Sequence, residues 1–286
     1  MTTNPYTNLM LRMARESGEI ALGLMANSKP TLKPDKSVLT KADTQISSFI
    51  RKSLKNFLTT QEHLLIDEED AGNIEYFNQS YLKSRKYIWV IDPIDGTIQY
   101  ANRMPLFGIS IGLLKDLRPW LGVVYFPYLG ELFFCDGRKS YFVKDVFTKN
   151  QKRRTLFSFD QKITSSSSQS IFLLHDNFFE DYGWDYSVCP VMISSCAVVD
   201  LCWPTIGRGC GSVFKAHVWD FAGAWPICRS AGLNFRSLKN GKILDRLDIR
   251  FFEREGTDPW KLKEDYILSS EKNFKFLKSK IGRIKS

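Results

Sequence analysis

The sequence predicts a layered protein that mixes helices with sheet, α/β or α+β in class. Three observations carry that expectation. Segments with a helical apolar repeat alternate with unbroken β-branched and aromatic runs. Strand and helix candidates occur in both halves of the chain. The 286 residues, 43% hydrophobic and 25% charged, suffice for a large core at ordinary globular composition.

The elements follow in order. Leu9, Met13, Ile20 and Leu24 share one helical face over residues 9–25, with Arg12, Arg15, Glu16 and Glu19 left for solvent. Pro30 and Pro34 forbid a helix through the polar stretch 27–40. Ile46, Phe49, Ile50 and Leu54 restore helical spacing over 43–58. Leu64-Leu65-Ile66 is a short apolar run that stops in Asp67-Glu68-Glu69-Asp70. Tyr87 to Ile91 lacks polar alternation, as a strand buried on both faces does, and it stops in Asp92-Pro93-Ile94-Asp95-Gly96-Thr97. Further strands are predicted at 107–114, 121–125 and 131–135, and the serines 165–168 read as a loop between the halves. Beyond them come a strand at 170–174, a helix at 196–206, a strand at 212–215, and a helix from Trp219 to Ala231 with Gly232 as its stop. Ser270 caps a last amphipathic helix that uses Phe274, Leu277 and Ile281.

Composition excludes several functions. Three histidines, His63, His175 and His217, are too few for a histidine-rich zinc or iron centre. The six cysteines form no C-x-x-C pair, so they read as buried small hydrophobes in a reducing compartment. No run has the length of a membrane helix, and the N-terminus lacks the pattern of a secretory signal; a cytoplasmic protein is expected. The net charge of +9 concentrates in residues 138–162 and 272–285. Neither stretch has an RNA-binding signature, so both read as solvated surface and nucleic acid is not the expected partner.

Two buried strands that end in carboxylates need a physical reason, because desolvated like charges repel. A divalent cation removes the conflict, and an all-oxygen ligand set suits Mg²⁺. Proline fixes the turn in which Asp92, Asp95 and the Ile94 carbonyl can face one point. Gly96 and Thr97 then offer backbone N–H groups where a helix begins, a place for phosphate.

These residues resemble a known family. Residues 91–97 match the D-P-[IL]-D-G-T signature of the inositol monophosphatases, metal-dependent and lithium-sensitive phosphomonoesterases. Ile66-Asp67-Glu68-Glu69 is similar to their upstream acidic pair, and Trp219-Asp220-Phe221-Ala222-Gly223-Ala224 to their W-D-x-A-[AG]-[GA] motif. Residues 35–43, with Val38, Leu39, Thr40 and Asp43, are similar to their D-x-V-T-x-x-D loop, and 105–112 followed by 122–125 also fits.

The resemblance implies an αβαβα sandwich of the sugar-phosphatase type. It implies one catalytic domain over 1–286 in two lobes, about 1–160 and about 161–286. It implies two or three Mg²⁺ ions: one on Glu68, Asp92 and the Ile94 carbonyl, one on Asp92, Asp95 and Asp220, and a looser one beside Glu68. Thr97, oriented by Asp43, would position and deprotonate the attacking water together with Glu68. Gly96 and Thr97 would receive the phosphate, with Asp95, Ser195, Ala197 and Asp220 against the rest of the substrate. A small phosphorylated metabolite and a homodimer are further implications.

Departures concern the alcohol. Met192-Ile193-Ser194-Ser195-Cys196-Ala197 stands where inositol-specific members carry R-S-x-G-[ST]-A, and Val213 replaces their hydroxyl-reading acid. The glycine-rich pattern expected near Cys135 is degraded through Lys139. Lys215 and Arg153-Arg154 would favour a more anionic substrate. Inositol monophosphate, histidinol phosphate, adenosine 3′,5′-bisphosphate and fructose 1,6-bisphosphate are all reachable by this chemistry. A non-catalytic regulatory or RNA-binding member is the rival reading; retention of Glu68, Asp92, Asp95, Thr97 and Asp220 weighs against it.

Overall fold

Asn4 starts the first helix, α1 (Pro5–Met25), by accepting the backbone N–H groups of Tyr6 and Thr7 at 3.0 and 3.4 Å, with Pro5 in the first turn. The protein is seen here in a computed structural model that describes residues 4–26, 30–32, 38–156, 170–254 and 259–284. Asp35 and the serine run 165–168 lie outside the described residues. The buried stripe of α1 is rotated from the predicted face and runs through Met10, Met13, Ala14, Ser17, Gly18 and Ala21. Small residues win that face because the helix lies close to the sheet: a Cβ at Gly18 would meet the Tyr125 ring at 2.2 Å. Leu9, Ile20 and Leu24 flank the stripe, partly buried.

The second helix, α2 (Lys41–Ser53), begins two residues earlier than predicted because Thr40 and Asp43 form a capping box. A first sheet follows: β1 (His63–Asp67), β2 (Tyr87–Asp95), β3 (Gly108–Lys115), β4 (Arg118–Phe126), β5 (Glu131–Cys135), β6 (Ser140–Lys144) and β7 (Lys152–Leu156), in that spatial order. A one-turn helix, α3 (Thr97–Ala101), leaves the end of β2. β1 and β2 are parallel and the remaining neighbours antiparallel. Trp89 helps to fix the first pair, its indole N–H donating to His63 Nδ1 at 3.1 Å. The sequence did not announce β6 and β7. The Lys-Arg-Arg of β7 reads as solvated loop, yet exposed cations are what an edge strand carries to prevent further pairing.

The second sheet holds β8 (Phe172–Leu174), β9 (Val191–Ile193), β10 (Gly211–Phe214), β11 (Leu233–Ser237) and β12 (Tyr266–Ser270), ordered β9-β8-β10-β12-β11. Its first three members are parallel, and β12 is antiparallel to both neighbours. Between the sheets lie α4 (Ala197–Cys202), α5 (Val218–Ala222) and α6 (Ala224–Ser230). A single helix was expected over 219–231. It breaks at Gly223, where a Cβ would stand 2.6 Å from the Ser110 hydroxyl. Gly232 closes α6 at φ 83°, as expected. The last helix, α7 (Glu271–Ser279), covers the outer face of the second sheet; Ser270 occupies its N-cap position without a side-chain capping bond, and Ile281 lies beyond it in a short strand.

Three apolar cores result. One lies between α1–α2 and the first sheet, one between the two sheets around α4–α6, and one beneath α7. The layers therefore read αβαβα, as the family resemblance implies. All six cysteines are free and buried, in keeping with their reading as small hydrophobes.

Candidate metal centre

In a regular strand, residues three apart face opposite sides. Asp92 and Asp95 escape that rule because β2 slips register between them. Asp92 pairs with Ser110 and Asp95 with Gly108, so three steps on β2 match two on β3. Pro93 brings no N–H to the ladder there. Gly96 then turns the chain at φ 83°, where a Cβ would press on the Leu106 carbonyl at 2.9 Å.

From the other half of the chain, Asp220 sits in the first turn of α5, its carboxylate accepting the His217 N–H at 2.8 Å. One oxygen from each of Asp92, Asp95 and Asp220 lies within 4.8 Å of the others. Asp92 is 2% exposed, and its Oδ1 is buried with no hydrogen-bond partner. Burial, followed by the charges of Glu68, Asp95 and Asp220, holds the Asp92 carboxyl well above the usual range. Burial and then Asp220 push Asp95 up to about 7, even though the Val198 N–H (2.5 Å) and the Cys196 thiol (3.2 Å) donate to its Oδ2. Among the described residues, the largest charge effects that raise either carboxyl come from other acids. Converging carboxylates, two of them buried and one with an orphaned oxygen, fit a hard divalent ion.

Glu68 follows β1 directly, half-buried, and its charge is felt by both Asp92 and Asp43. Asp43 is fully buried; desolvation lifts it to about 6, opposed by its bond from the Thr40 hydroxyl. Its Oδ2 also accepts the Thr40 N–H at 2.8 Å, while Oδ1 has no partner. Thr97 donates its hydroxyl to the Ile94 carbonyl at 2.9 Å, so among the described residues no hydrogen bond joins Thr97 to Asp43.

The segment that departs from the family pattern is engaged with the protein itself. Ser195, at φ 51°, donates to Asp176 Oδ1 at 2.5 Å, and the Ala197 N–H lies against Asp95. Ser194 bonds Asp200 Oδ1 at 2.6 Å and offers its carbonyl to the Gln99 amide at 2.9 Å, tying α4 to α3. These holders of Asp95 were not read from the sequence: backbone N–H groups leave no residue-type signal, and Cys196 looked like another small hydrophobe. Val213, which stands in place of the hydroxyl-reading acid, has its side chain fully buried in the core beneath α7, with Phe172, Phe178 and Ile267. Strand pairing decides this, since neighbours on β10 face opposite sides and Phe214 takes the inner one.

The sequence profile described as the inositol monophosphatase family matches residues 4–273. The chain belongs to the inositol monophosphatase family. Among relatives, it is 30% identical over 246 residues to the Nus factor SuhB of Pasteurella multocida, covering 80% of this chain and 84% of that protein. It is 32% identical over 154 residues to a fructose-1,6-bisphosphatase/inositol-1-monophosphatase of Aquifex aeolicus, a match over 51% of this chain and just over half (56%) of that protein. An IMPase of Thermotoga maritima shares the fold, with a TM-score of 0.72 at 18% identity over 95% of this chain and 94% of the other. In this family member, then, the converging aspartates are drawn from the matching motifs of both chain halves. Among the described residues no helix is long and apolar enough to cross a membrane.

Proposed function

We propose that the chain is a Mg²⁺-dependent phosphomonoesterase that hydrolyses a small phosphorylated metabolite by attack of water. The observation that carries this reading is the meeting of Asp92, Asp95 and Asp220 around a buried, unpartnered Asp92 oxygen. Those three, with Glu68 and the Ile94 carbonyl, would hold two or three Mg²⁺ ions, which when bound supply Lewis-acid charge to the phosphoryl group and acidify water. The chain's own groups do the positioning. Thr97 commits its hydroxyl proton to Ile94, which leaves its oxygen as an acceptor for a proton of the attacking water. Glu68 would take that proton onward, with Asp43, on which the Glu68 charge acts, behind it. The N–H groups of Gly96 and Thr97 receive phosphate oxygens, and Ser195, Ala197 and Asp220 border the alcohol side.

Li⁺ would inhibit at the Asp92–Asp95–Asp220 position, and the working form would be a cytoplasmic homodimer; a light-scattering mass near 33 kDa would exclude the dimer. The test of function is phosphate release from inositol monophosphate, histidinol phosphate, adenosine 3′,5′-bisphosphate and fructose 1,6-bisphosphate, with Mg²⁺, with EDTA, and with Mg²⁺ restored. Turnover of at least one substrate that vanishes on chelation and returns with Mg²⁺ is expected. Full activity in demetallated protein, or none on any phosphomonoester, overturns the proposal.

A further inference from the structure

A cleft of about 720 Å³ lies where the second sheet meets α7, and none of Glu68, Asp92, Asp95 or Asp220 lines it. Three adjacent strands bring their ends to it. Lys215 leaves β10, Tyr266 opens β12, and Lys239 stands two residues past β11, with Tyr266 paired to both Phe214 and Ser237. Lys263 enters from the loop before β12, and Lys278 from α7.

The charge on this wall is one-sided once internal pairs are removed. Of its acids, Asp265 is engaged by His175 Nε2 at 2.8 Å and by the Tyr182 hydroxyl at 3.3 Å, which leaves Asp181 and Glu264. Of its cations, Arg250 is taken by Asp248 at 2.6 Å, and Arg283 stands beside the Tyr182 hydroxyl. Lys215, Lys239, Lys263 and Lys278 have no carboxylate within salt-bridge distance among the described residues. Ammonium groups gathered on a concave wall repel one another, and the low-dielectric surround focuses their field into the cleft. An anion bearing several charges on one small body relieves that repulsion where separate monovalent ions do so poorly. The volume falls within the roughly 300–1,000 Å³ of small-ligand sites.

We propose that this cleft is a second binding site, separate from the carboxylate centre, for a small polyphosphate anion.

The test is isothermal titration of the full chain with inorganic tripolyphosphate in excess EDTA, so that no metal recruits the anion to the carboxylates. One-to-one binding is expected, at least about tenfold tighter than orthophosphate, and weakened about tenfold or more by the pair Lys239→Glu and Lys263→Glu. The matched pair Lys52→Glu and Lys55→Glu, exposed at and just beyond the end of α2, should leave affinity within about twofold. If the first pair lowers the melting temperature, the exposed single variant Lys239→Gln should still weaken binding in the same direction. Equal losses in both pairs, no binding at millimolar tripolyphosphate, or a single-stranded oligonucleotide that binds tighter with the same lysine dependence would each overturn the assignment.

Discussion

Replacing Asp95 by asparagine should make the metal-free protein more stable and the enzyme inactive. Burial and Asp220 raise the Asp95 carboxyl from 3.8 to about 7. That is about a thousandfold in proton affinity, or roughly 4 kcal/mol between folded and unfolded states. The sign follows from linkage. The folded chain holds the proton more tightly, so wild-type stability is untouched below about pH 4, falls as pH rises toward 7, and stays low above it. Asparagine has no proton to lose and also relieves the charge on Asp92. At about 2 °C per kcal/mol for a chain of this size, Asp95→Asn should melt about 5–8 °C above wild type at pH 8 in EDTA, with a smaller gap at pH 4.5. With Mg²⁺ the order should reverse, because the variant loses a ligand. Its phosphatase rate should drop at least about 10²–10³-fold, the cost of removing one well-placed electrostatic contact. Calorimetry at the two pH values, with and without Mg²⁺, reads all of this. A variant that melts at or below wild type at pH 8 in EDTA would refute the account of Asp95 as a charge held against its own burial.

Other perturbations have equally definite outcomes. Val213→Glu places a carboxylate in the core beneath α7 and should cost several kcal/mol in urea titration, with activity lost on every substrate rather than redirected. Gly96→Ala forces a side chain into left-handed backbone and against the Leu106 carbonyl; about 1–3 kcal/mol of stability and much of kcat should go, read by melting and turnover. Arg208→Ala strands the buried Glu131 carboxylate that now receives two bonds of 2.6 Å, and should cost about 3 kcal/mol by chemical denaturation while the metal requirement is kept.

What could be read in the sequence was local chemistry. Asp92, Pro93, Asp95 and Gly96 fall within five consecutive residues, so their conflict and its resolution by a cation were visible before any fold was known. The apolar run of β2 was equally plain, since a strand covered on both faces needs no polar alternation. What escaped depended on partners far along the chain. Val198 and Ala197 hold Asp95 through backbone N–H groups, which any residue type supplies. The face of Val213 is set by pairing with β12, and the break at Gly223 by the approach of Ser110. Arg153 and Arg154 were read as loop because charge outweighs β-propensity at a sheet edge.

The carboxylate centre joins positions 103 residues apart where Val198 meets Asp95, and reaches farther still to Asp220. Contacts of such range close late in folding, after local strands and helices have formed. The order of events then has a cost profile: Glu68, Asp92 and Asp95 already meet within the first half, and Asp220 adds its charge only at the closing step. Without a cation that step is uphill on its native side, so chelation should act chiefly on the unfolding arm of a chevron, shortening the lifetime of the finished protein while leaving its folding rate nearly unchanged.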